Sequence, residues 1–401
     1  MIYTEMTKKA LELSFEAHKN QQDKGGAPYV YHPFHLAEQM VTEETVTVAL
    51  LHDVVEDTDY TLDDLRAKGF PERVIEALAL LAHEKTTPYA DYVAAIKSNP
   101  IAWRVKLADL LHNSDLLRLD KINDKDKARA EKYRQSIAIL RDGYPEFKYL
   151  VETMDEEGKE AWTDSEKMRR NVEKRERGEE YSLSDHVGAM VFAELSNQRK
   201  WGPIEENADL IRNSIFFNFD VERILKVATE QPQSIVDALT KKKLGNRQIA
   251  KQIETLPENI HTLHRIAEEH GSVDKYYNHT PTKDVIRELS VGKYKLKQMG
   301  VPLVSEYLRN VGVDLVKPDV HVMRLLYRLG YTEHPAKFDE VFNVCDKIAE
   351  TYKMRRFEVD SILWGYCAED RLKRCTENNP GCLKCKAYPC ARCPNNTAKQ
   401  G

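Results

Sequence analysis

Apolar residues recur at helical spacing along most of the chain. The segments TKKALELSFEAHKNQ, which begins at Thr7, and TVTVALLHDVVEDT, which begins at Thr45, place apolar side chains three and four positions apart. This spacing is typical of amphipathic or buried helices, whereas the β-branched runs that predict strands are scarce. No internal repeat of about 20 to 50 residues is present. We therefore expect a mainly α fold.

One stretch interrupts this periodicity. Residues 154–180, MDEEGKEAWTDSEKMRRNVEKRERGEE, are dominated by charge and nearly lack aliphatic side chains, which is typical of a solvated helix or a linker. A chain of 401 residues is long enough for two or three domains. We predict a first domain at 1–150, a charged helical linker at 151–185 and a second domain at 186–401.

Charge differs between the two parts of the chain. Residues 1–180 hold 27 Lys and Arg against 36 Asp and Glu, a net charge of −9, and residues 181–401 hold 33 against 29, a net charge of +4. The acidic part argues against broad nucleic-acid contact there unless metal ions neutralise it. The mildly basic part permits a surface that binds phosphate.

Five of the seven cysteines fall in CTENNPGCLKCKAYPCARC, residues 375–393. No apolar N-terminal stretch indicates export and no window has the length of a membrane span, so we expect a cytoplasmic protein with reduced thiols. Disulfides are therefore the least favoured explanation of this cluster. A zinc ion and an iron–sulfur cluster are the two alternatives.

The densest polar signal in the first part is ALLHDVVEDT, residues 49–58, where an apolar helix presents His52, Asp53, Glu56 and Asp57. Buried charge on such a helix is costly unless it is paired or coordinated. Imidazole nitrogen and carboxylate oxygen together suit a divalent transition metal. Glu56 follows His52 by four residues and so lies on nearly the same helix face.

Two further segments can complete a metal site: GGAPYVYHPFHLA, which contains His32, and RVKLADLLHNSDLLRL, which contains Asp109. Taken alone, a His beside Pro is commonly a satisfied surface or core residue, and Asp109 could make a hydrogen bond between helices. The three segments in this order are a far more specific pattern than any one of them.

The order of AHKNQQDKGGAPYVYHP, ALLHDVVEDT and VKLADLLHN resembles the HD-domain hydrolase of the RelA/SpoT (p)ppGpp enzymes and their small stand-alone relatives, over about residues 5–120. The resemblance implies an all-helical domain with a divalent metal, usually manganese, held by the residues matching His32, His52, Asp53 and Asp109. It also implies that the pair matching Glu56 and Asp57 activates water and assists the departing phosphate. The positions that contact the nucleotide match Lys24 and Asn113.

One departure from this family stands before the glycine turn. Many members have Arg-Lys there, and this chain has Asp23-Lys24. Without that cation, the resemblance no longer implies guanosine tetraphosphate as the substrate, but it still implies phosphohydrolysis. The synthetase domain of the long enzymes does not follow, so the chain is not expected to make (p)ppGpp. The alternative is an inactive HD fold used as a scaffold.

The second part contains LKQMGVPLVSEYLRNVGVDLVKPDVHVMRLLYRLG, residues 296–330, in which a helix, a Gly/Pro turn and a second helix precede Asp319. A turn of this kind directs backbone N–H groups outward, which suits a DNA phosphate. The alternative role for Asp319 is a helix N-cap, since Asp is among the best capping residues.

This segment is similar to the helix-hairpin-helix DNA glycosylases of the endonuclease III superfamily. Counted from Gly312, Asp319 falls at the spacing of the family's essential aspartate, which stabilises positive charge on the deoxyribose or orients a water once the base has been swung out of the duplex. Members that also cut the DNA backbone use a lysine of the hairpin to form a Schiff base. Residues 301–304 contain none, so the resemblance implies a monofunctional glycosylase. Gln198 matches a glutamine that wedges into the DNA.

In the iron–sulfur members of that family, a C-x6-C-x2-C-x5-C run follows the last helix. The same first spacings occur here, so the resemblance implies a [4Fe–4S] cluster, with zinc as the alternative. The expected ligands are Cys375, Cys382, Cys385 and Cys390, with Cys393 as an alternative fourth ligand. Cys345 and Cys367 lie in apolar contexts and are expected to be buried, with Cys367 in reserve as a ligand.

Together these patterns predict a bifunctional enzyme without membrane contact. Its first domain would hydrolyse a phosphorylated nucleotide, and its second would bind DNA and excise a damaged or modified base. A different interpretation keeps the hydrolase and makes the second domain a non-catalytic DNA-binding module that localises it.

Overall fold

The computed structural model describes residues 2–40, 42–83, 86–119, 121–158, 163–333, 337–368 and 371–378. Regular structure within these ranges is helical, and the exception is an isolated antiparallel bridge between Gln22 and Pro28. The mainly α prediction is therefore confirmed. None of the described helices is long and apolar enough to cross a membrane. Among the described residues the chain forms two compact units, one of residues up to 150 with 328–330 and one of residues 151–327 with 331–378.

Several helices of the first unit start at a side-chain cap. Thr4, Thr42, Thr61 and Asn123 each accept a hydrogen bond from the backbone N–H three residues on, which satisfies a donor that the first helical turn leaves open. The helices are α1 Glu5–His18, α2 Tyr31–Glu38, α3 Glu43–Leu51, α4 Val54–Asp57, α5 Leu62–Ala67, α6 Glu72–Leu81, α7 Tyr89–Ile96, α8 Pro100–Ser114, α9 Asp124–Arg141 and α10 Pro145–Glu157, of which α10 continues past residue 150.

Helix α3 is the centre of the first unit's core. Its residues from Thr45 to Leu51 are all buried, because α1, α2, α6 and α8 contact it from several sides. The sequence VALL, apolar on every face, fits this position. Burial of the whole helix fixes where its C-terminal end lies, and His52 caps that end.

Helix α8 is held by two sets of contacts near its N-terminal end. Asn99 accepts hydrogen bonds from the backbone of Ile101 and Ala102 at its start, where Pro100 costs no hydrogen bond. Further along, the Trp103 indole donates to the backbone oxygen of Leu140, at 3.0 Å. These contacts set the position of Asp109, which is buried in the same helix.

The second unit is built from thirteen described α-helices, with a π turn at Ile211–Ile215 and a 3-10 turn at Phe217–Phe219. The helices are α11 Thr163–Glu176, α12 Leu183–Leu195, α13 Gly202–Glu206, α14 Ala208–Leu210, α15 Val221–Glu230, α16 Pro232–Lys241, α17 Ile249–His270, α18 Val273–His279, α19 Thr282–Ser290, α20 Val301–Asn310, α21 Val320–Leu329, α22 Phe338–Tyr352 and α23 Arg356–Cys367. Contacts of α12 with α17 and α20 place it in the core.

The charged segment that was expected to be a linker contains α11, and α11 contacts α20 and α23. Its two apolar residues, Met168 and Val172, are one helical turn apart and form a buried cluster with Phe357. The Arg175 Nε donates to the backbone oxygen of Val311 at 2.9 Å, just past the end of α20. A positive side chain there also complements the helix dipole.

Gly312 follows α20 at the point where α11 crosses it. Its φ of +76° lies in the left-handed region, which glycine adopts without strain. A Cβ atom at this position would lie only 2.7 Å from the carbonyl carbon of Asn171 in α11. The absence of a side chain therefore permits both the turn and the close approach of the two segments.

Candidate functional site

Three helices of the first unit bring His32, His52 and Asp109 together. His32 lies in α2, His52 at the end of α3 and Asp109 in α8, and one potential ligand atom of each lies within 4.8 Å of the others. All three side chains are buried. The sequence motifs that contain them are far apart in the chain, so their convergence is a property of the fold.

Asp53 adds a fourth potential ligand to this cluster. Its Oδ2 lies 3.0 Å from His52 Nε2 and 3.6 Å from His32 Nε2, and His32 Nε2 lies 3.3 Å from Asp109 Oδ1. The His52 Nε2 atom is buried and, despite its proximity to Asp53, has no partner with hydrogen-bond geometry among the described residues. Two imidazoles and two carboxylates that face one another in this way fit a divalent transition metal.

The second ring nitrogen of each histidine is used to orient the ring. His52 Nδ1 donates to the backbone oxygen of Ala49 at 2.9 Å, which directs Nε2 into the cluster. His32 Nδ1 shares a hydrogen bond of 2.7 Å with His112 Nδ1. Metal-binding histidines in proteins are commonly fixed by such outer contacts.

Two residues that the sequence analysis missed hold the carboxylates. The Lys106 ammonium lies 2.9 Å from Asp109 Oδ2; Asp109 is buried, and the Lys106 side chain is 12% exposed. Burial alone would raise the pKa of Asp109, but Lys106 and His32 hold it well below its ordinary value. The Tyr29 hydroxyl donates to Asp53 Oδ2 at 2.7 Å. A lysine within the apolar stretch VKLAD was the available signal for Lys106.

The cluster favours positive charge. Burial alone would lower the pKa of His52, yet the carboxylates of Asp53 and Asp109 raise it to about 9. Without a metal the histidine therefore tends to hold a second proton. The same electrostatic field would attract a cation, and a bound metal would displace that proton.

Glu56 and Asp57 lie in α4, directly after Asp53, and both are exposed. Partial burial raises the pKa of both carboxyl groups, and the Asp53 carboxylate raises both further. A carboxyl group with a raised pKa near a metal cluster can exchange protons at a higher pH than an ordinary one. Their catalytic roles stay a prediction.

Of the two residues predicted to contact the nucleotide, Asn113 lies beside the cluster. Asn113 Nδ2 donates to Asp109 Oδ1 at 2.5 Å. Lys24 is exposed, and partial burial followed by the nearby Arg129 lowers its pKa. Asp23, which departs from the family pattern, forms an ion pair with Arg118 at 3.2 Å.

In the second unit, Asp319 and Gln198 line one cavity of about 710 Å³. Asp319 Oδ1 accepts from the backbone of His321 and Val322, so the capping role is present and Oδ2 is not needed for it. Gln198 follows α12 with a φ of +53° and an exposed side chain. Residues distant in the sequence thus face the same cavity.

A network of buried charge lies behind Asp319. Arg309 contacts Asp360 at 2.7 Å and Glu306 at 3.4 Å, and Lys317 Nζ also lies 3.4 Å from Glu306. The Lys317 backbone N–H donates to Asp360 Oδ1 at 2.7 Å. Because Lys317 is two residues before Asp319, this network fixes the start of α21.

Among the predicted cluster ligands, Cys375 is within the described residues, whereas Cys382, Cys385, Cys390 and Cys393 lie outside them. Cys375 is buried and its thiol is hydrogen-bonded to that of Cys367. Arg324 of α21 donates to the Cys375 backbone oxygen at 3.2 Å. The segment that leads into the cysteine-rich tail is therefore attached to α21, the helix that Asp319 caps.

No family model matches the chain. Part of it is 33% identical over 123 residues to the guanosine-3′,5′-bis(diphosphate) 3′-pyrophosphohydrolase of Aquifex aeolicus, which covers 28% of this chain and 18% of that protein. It is also 38% identical over 114 residues to the guanosine-3′,5′-bis(diphosphate) 3′-pyrophosphohydrolase MESH1 of Mus musculus, which covers 25% of this chain and 63% of that protein. The chain thus spans less than two thirds of either relative.

A solved structure of a metazoan orthologue of SpoT that hydrolyses ppGpp covers 35% of this chain and 88% of its own, with 23% identity and a TM-score of 0.31. The sequence similarities are the stronger finding, and they show that the N-terminal region resembles the (p)ppGpp hydrolases. The glycosylase resemblance and the iron–sulfur cluster of the second unit have no support from these proteins and stay predictions.

Proposed function

We propose that the first unit is a metal-dependent pyrophosphohydrolase of a nucleotide related to guanosine 3′,5′-bis(diphosphate). The observation that carries the proposal is the convergence of His32, His52, Asp53 and Asp109, whose nitrogen and oxygen atoms face one another in one cluster. Two imidazoles and two carboxylates in such an arrangement suit a divalent transition metal. The similarity to pyrophosphohydrolases supplies the substrate class.

These four residues would hold one divalent ion, with manganese as the proposed metal. When bound, the ion would lower the pKa of a water molecule and offset phosphate charge. Glu56 and Asp57 then have the proton-transfer roles, one taking the proton of the attacking water and the other assisting the phosphate that leaves. Lys24 and Asn113 bind and orient the nucleotide at the edge of the cluster.

The test is the release of phosphate or pyrophosphate from a nucleotide panel in the presence and absence of manganese. We expect metal-dependent turnover of a guanosine nucleotide that carries a 3′-diphosphate group, and we expect the double variant His52→Ala/Asp53→Ala to abolish it. Asp63→Ala is the matched control, because this carboxylate is exposed and paired with Arg66 in α5. Metal binding without turnover of any nucleotide would instead support the scaffold alternative.

The second candidate function is that of a monofunctional DNA glycosylase in the second unit. The observation that favours it is the shared cavity of Asp319 and Gln198, whose lining also carries cationic side chains, among them Arg199, Lys200 and Lys317. Asp319 would stabilise the charge that grows on the deoxyribose, and Gln198 would fill the space left by the flipped base. Strand cleavage is not expected without a hairpin lysine.

A [4Fe–4S] cluster on Cys375, Cys382, Cys385 and Cys390 belongs to the same proposal. Cys393 is the alternative fourth ligand, zinc is the alternative metal, and the buried thiol of Cys367 beside Cys375 makes it a further candidate ligand. Absorbance near 400 nm in anaerobically purified protein is expected for the cluster. A colourless protein with stoichiometric zinc would contradict it.

Base release from damaged or modified DNA separates the glycosylase from a binding module. The variant Asp319→Asn keeps an oxygen that can cap α21 and removes the charge, so it is expected to bind DNA and release no base. If the parent protein binds DNA but releases no base from any tested lesion, the non-catalytic DNA-binding module is the better description.

A further inference from the structure

The turn before α2 is built around the Asp23 carboxylate. Asp23 Oδ1 accepts hydrogen bonds from the backbone of Gly25 at 2.9 Å and of Ala27 at 3.0 Å. Gly26 has a φ of +82°, as such a tight turn requires. One oxygen of Asp23 is therefore occupied within the turn, and this explains locally why an Asp, in place of a cation, is compatible with this position.

The second oxygen of Asp23 is the first atom in a series of contacts that ends at the metal cluster. Arg118 Nη2 donates to Asp23 Oδ2 at 3.2 Å, while Arg118 Nη1 donates to the backbone oxygen of His112 at 3.1 Å and to Asn113 Oδ1 at 3.3 Å. Asn113 in turn donates to Asp109. Three consecutive side-chain contacts thus connect the turn with a candidate metal ligand.

Both members of this ion pair remain accessible to a ligand. The side chain of Arg118 is 25% exposed and that of Asp23 is 20% exposed. The guanidinium group has five N–H donors, and the three bonds just described leave one on Nη2 and one on Nε without a described acceptor. A nucleotide beside Asn113 would therefore approach a neutral pair in place of an isolated cation.

The positive charge around this pair is also partly compensated. Arg129, the neighbour of Lys24, is itself paired with Asp126 at 2.8 Å. Partial exposure keeps water near these groups, but pairs this close to a buried cluster are screened less than pairs on an open surface. The edge of the site can therefore neutralise less additional phosphate charge than its number of basic residues indicates.

We infer that the Asp23–Arg118 pair is a specificity determinant that limits the number of phosphate groups on the nucleotide that the first unit hydrolyses. The inference rests on the proposed hydrolase function and narrows its substrate class. The favoured substrates are nucleotides with one diphosphate group, and nucleotides with two diphosphate groups are disfavoured, because Asp23 repels the additional charge and occupies Arg118.

Two variants change this pair in opposite directions. Asp23→Asn retains an oxygen for the turn and removes the negative charge, whereas Arg118→Ala leaves the negative charge of Asp23 without its ion-pair partner. The probes are guanosine 3′-diphosphate and guanosine 3′,5′-bis(diphosphate), and the measured quantity is the ratio of their kcat/KM values. The exposed Asp63→Asn is the control for a general loss of negative charge.

The parent is expected to prefer guanosine 3′-diphosphate. Asp23→Asn should raise the relative kcat/KM for the bis(diphosphate) about tenfold, which corresponds to about 1.4 kcal/mol, and Arg118→Ala should lower it by a similar factor. The double variant should return close to the parent ratio, and high salt should reduce all three effects. A purely structural pair would change stability and leave the ratio unchanged.

Equilibrium binding of the same two nucleotides is measured alongside turnover. Ratios that are the same in the parent and both single variants, for binding and for turnover, would overturn the inference. Absence of turnover in the parent together with the expected binding ratios would refute the hydrolase and support the pair. The two failures are thus distinguishable.

Discussion

Replacement of Gly312 by Ala tests the junction between α11 and α20. The new methyl group would meet two costs. An L-residue in the left-handed region costs about 1 kcal/mol, and the Cβ atom would lie 2.7 Å from the Asn171 carbonyl carbon, closer than van der Waals contact allows. Since the obstacle is backbone, α11 has to move as a unit to relieve the overlap.

The movement would break the hydrogen bonds that join the two helices. Arg175 donates to Val311 at 2.9 Å and Asn171 Nδ2 donates to Asn310 at 3.1 Å. A bond from a charged donor contributes about 1.5 to 3 kcal/mol and a neutral one about 1 kcal/mol. We therefore expect Gly312→Ala to cost about 2 to 4 kcal/mol beyond the backbone strain.

Gly178→Ala is the matched control. Gly178 has a φ of +79°, almost that of Gly312, and no atom lies within 4 Å of its added Cβ. The control thus has the strain without the overlap. For a unit of this size, about 1 kcal/mol corresponds to roughly 2 to 4 °C in Tm, so the two variants should differ by about 5 to 15 °C.

The assay combines calorimetry with hydrogen exchange. If α11 detaches before the rest of the unit unfolds, its amides should exchange faster in Gly312→Ala at temperatures well below Tm. Equal Tm values for the two variants, with unchanged exchange in α11, would refute the reasoning, because the overlap would then have no energetic consequence.

Three further predictions concern other buried contacts. His112→Ala should weaken manganese binding about 10- to 100-fold in a calorimetric titration, because the ring that orients His32 is lost, whereas His83→Ala should not change it. Burial raises the pKa of Glu194 well above its ordinary value, so the folded parent loses stability as the pH rises above the ordinary carboxyl pKa. Glu194→Gln should remove this pH dependence, so the variant should have a higher Tm than the parent at neutral pH and an equal Tm near pH 4. Gly188→Ala should lower Tm despite its higher helix propensity, since the added Cβ would lie 2.6 Å from the Phe219 ring; an increase in Tm would contradict the overlap.

The helical fold could be predicted from the sequence because its signal is local. Apolar spacing acts within a few positions along the chain, and so do caps such as the one that the structure shows between Thr42 and Thr45 at the start of α3. The resemblance to the HD-domain hydrolases identified His32, His52, Asp53 and Asp109 as candidate metal ligands, and the structure brings these four side chains close together, while their role as ligands stays a prediction. The three segments that carry these residues meet in the folded chain, although no single segment predicts that they meet.

The contacts that the sequence could not provide join residues distant along the chain. Asp23 was interpreted as a lost cation, and its partner Arg118 was not anticipated, because an ion pair across 95 positions leaves no local pattern. The attachment of α11 depends on the two apolar residues Met168 and Val172 and on Arg175 bonding to a carbonyl group. Composition alone makes such a segment resemble a solvated helix.

The donor set of the His32–His52–Asp109 cluster has a practical consequence for anyone who prepares this protein. Sites of nitrogen and oxygen ligands bind first-row divalent ions in the order of manganese, iron, cobalt, nickel and copper, from weakest to tightest. Nickel that leaches from an affinity column would therefore compete successfully with the manganese supplied in an assay. Samples should be stripped with a chelator, reloaded with a known ion and checked by elemental analysis before any two variants are compared.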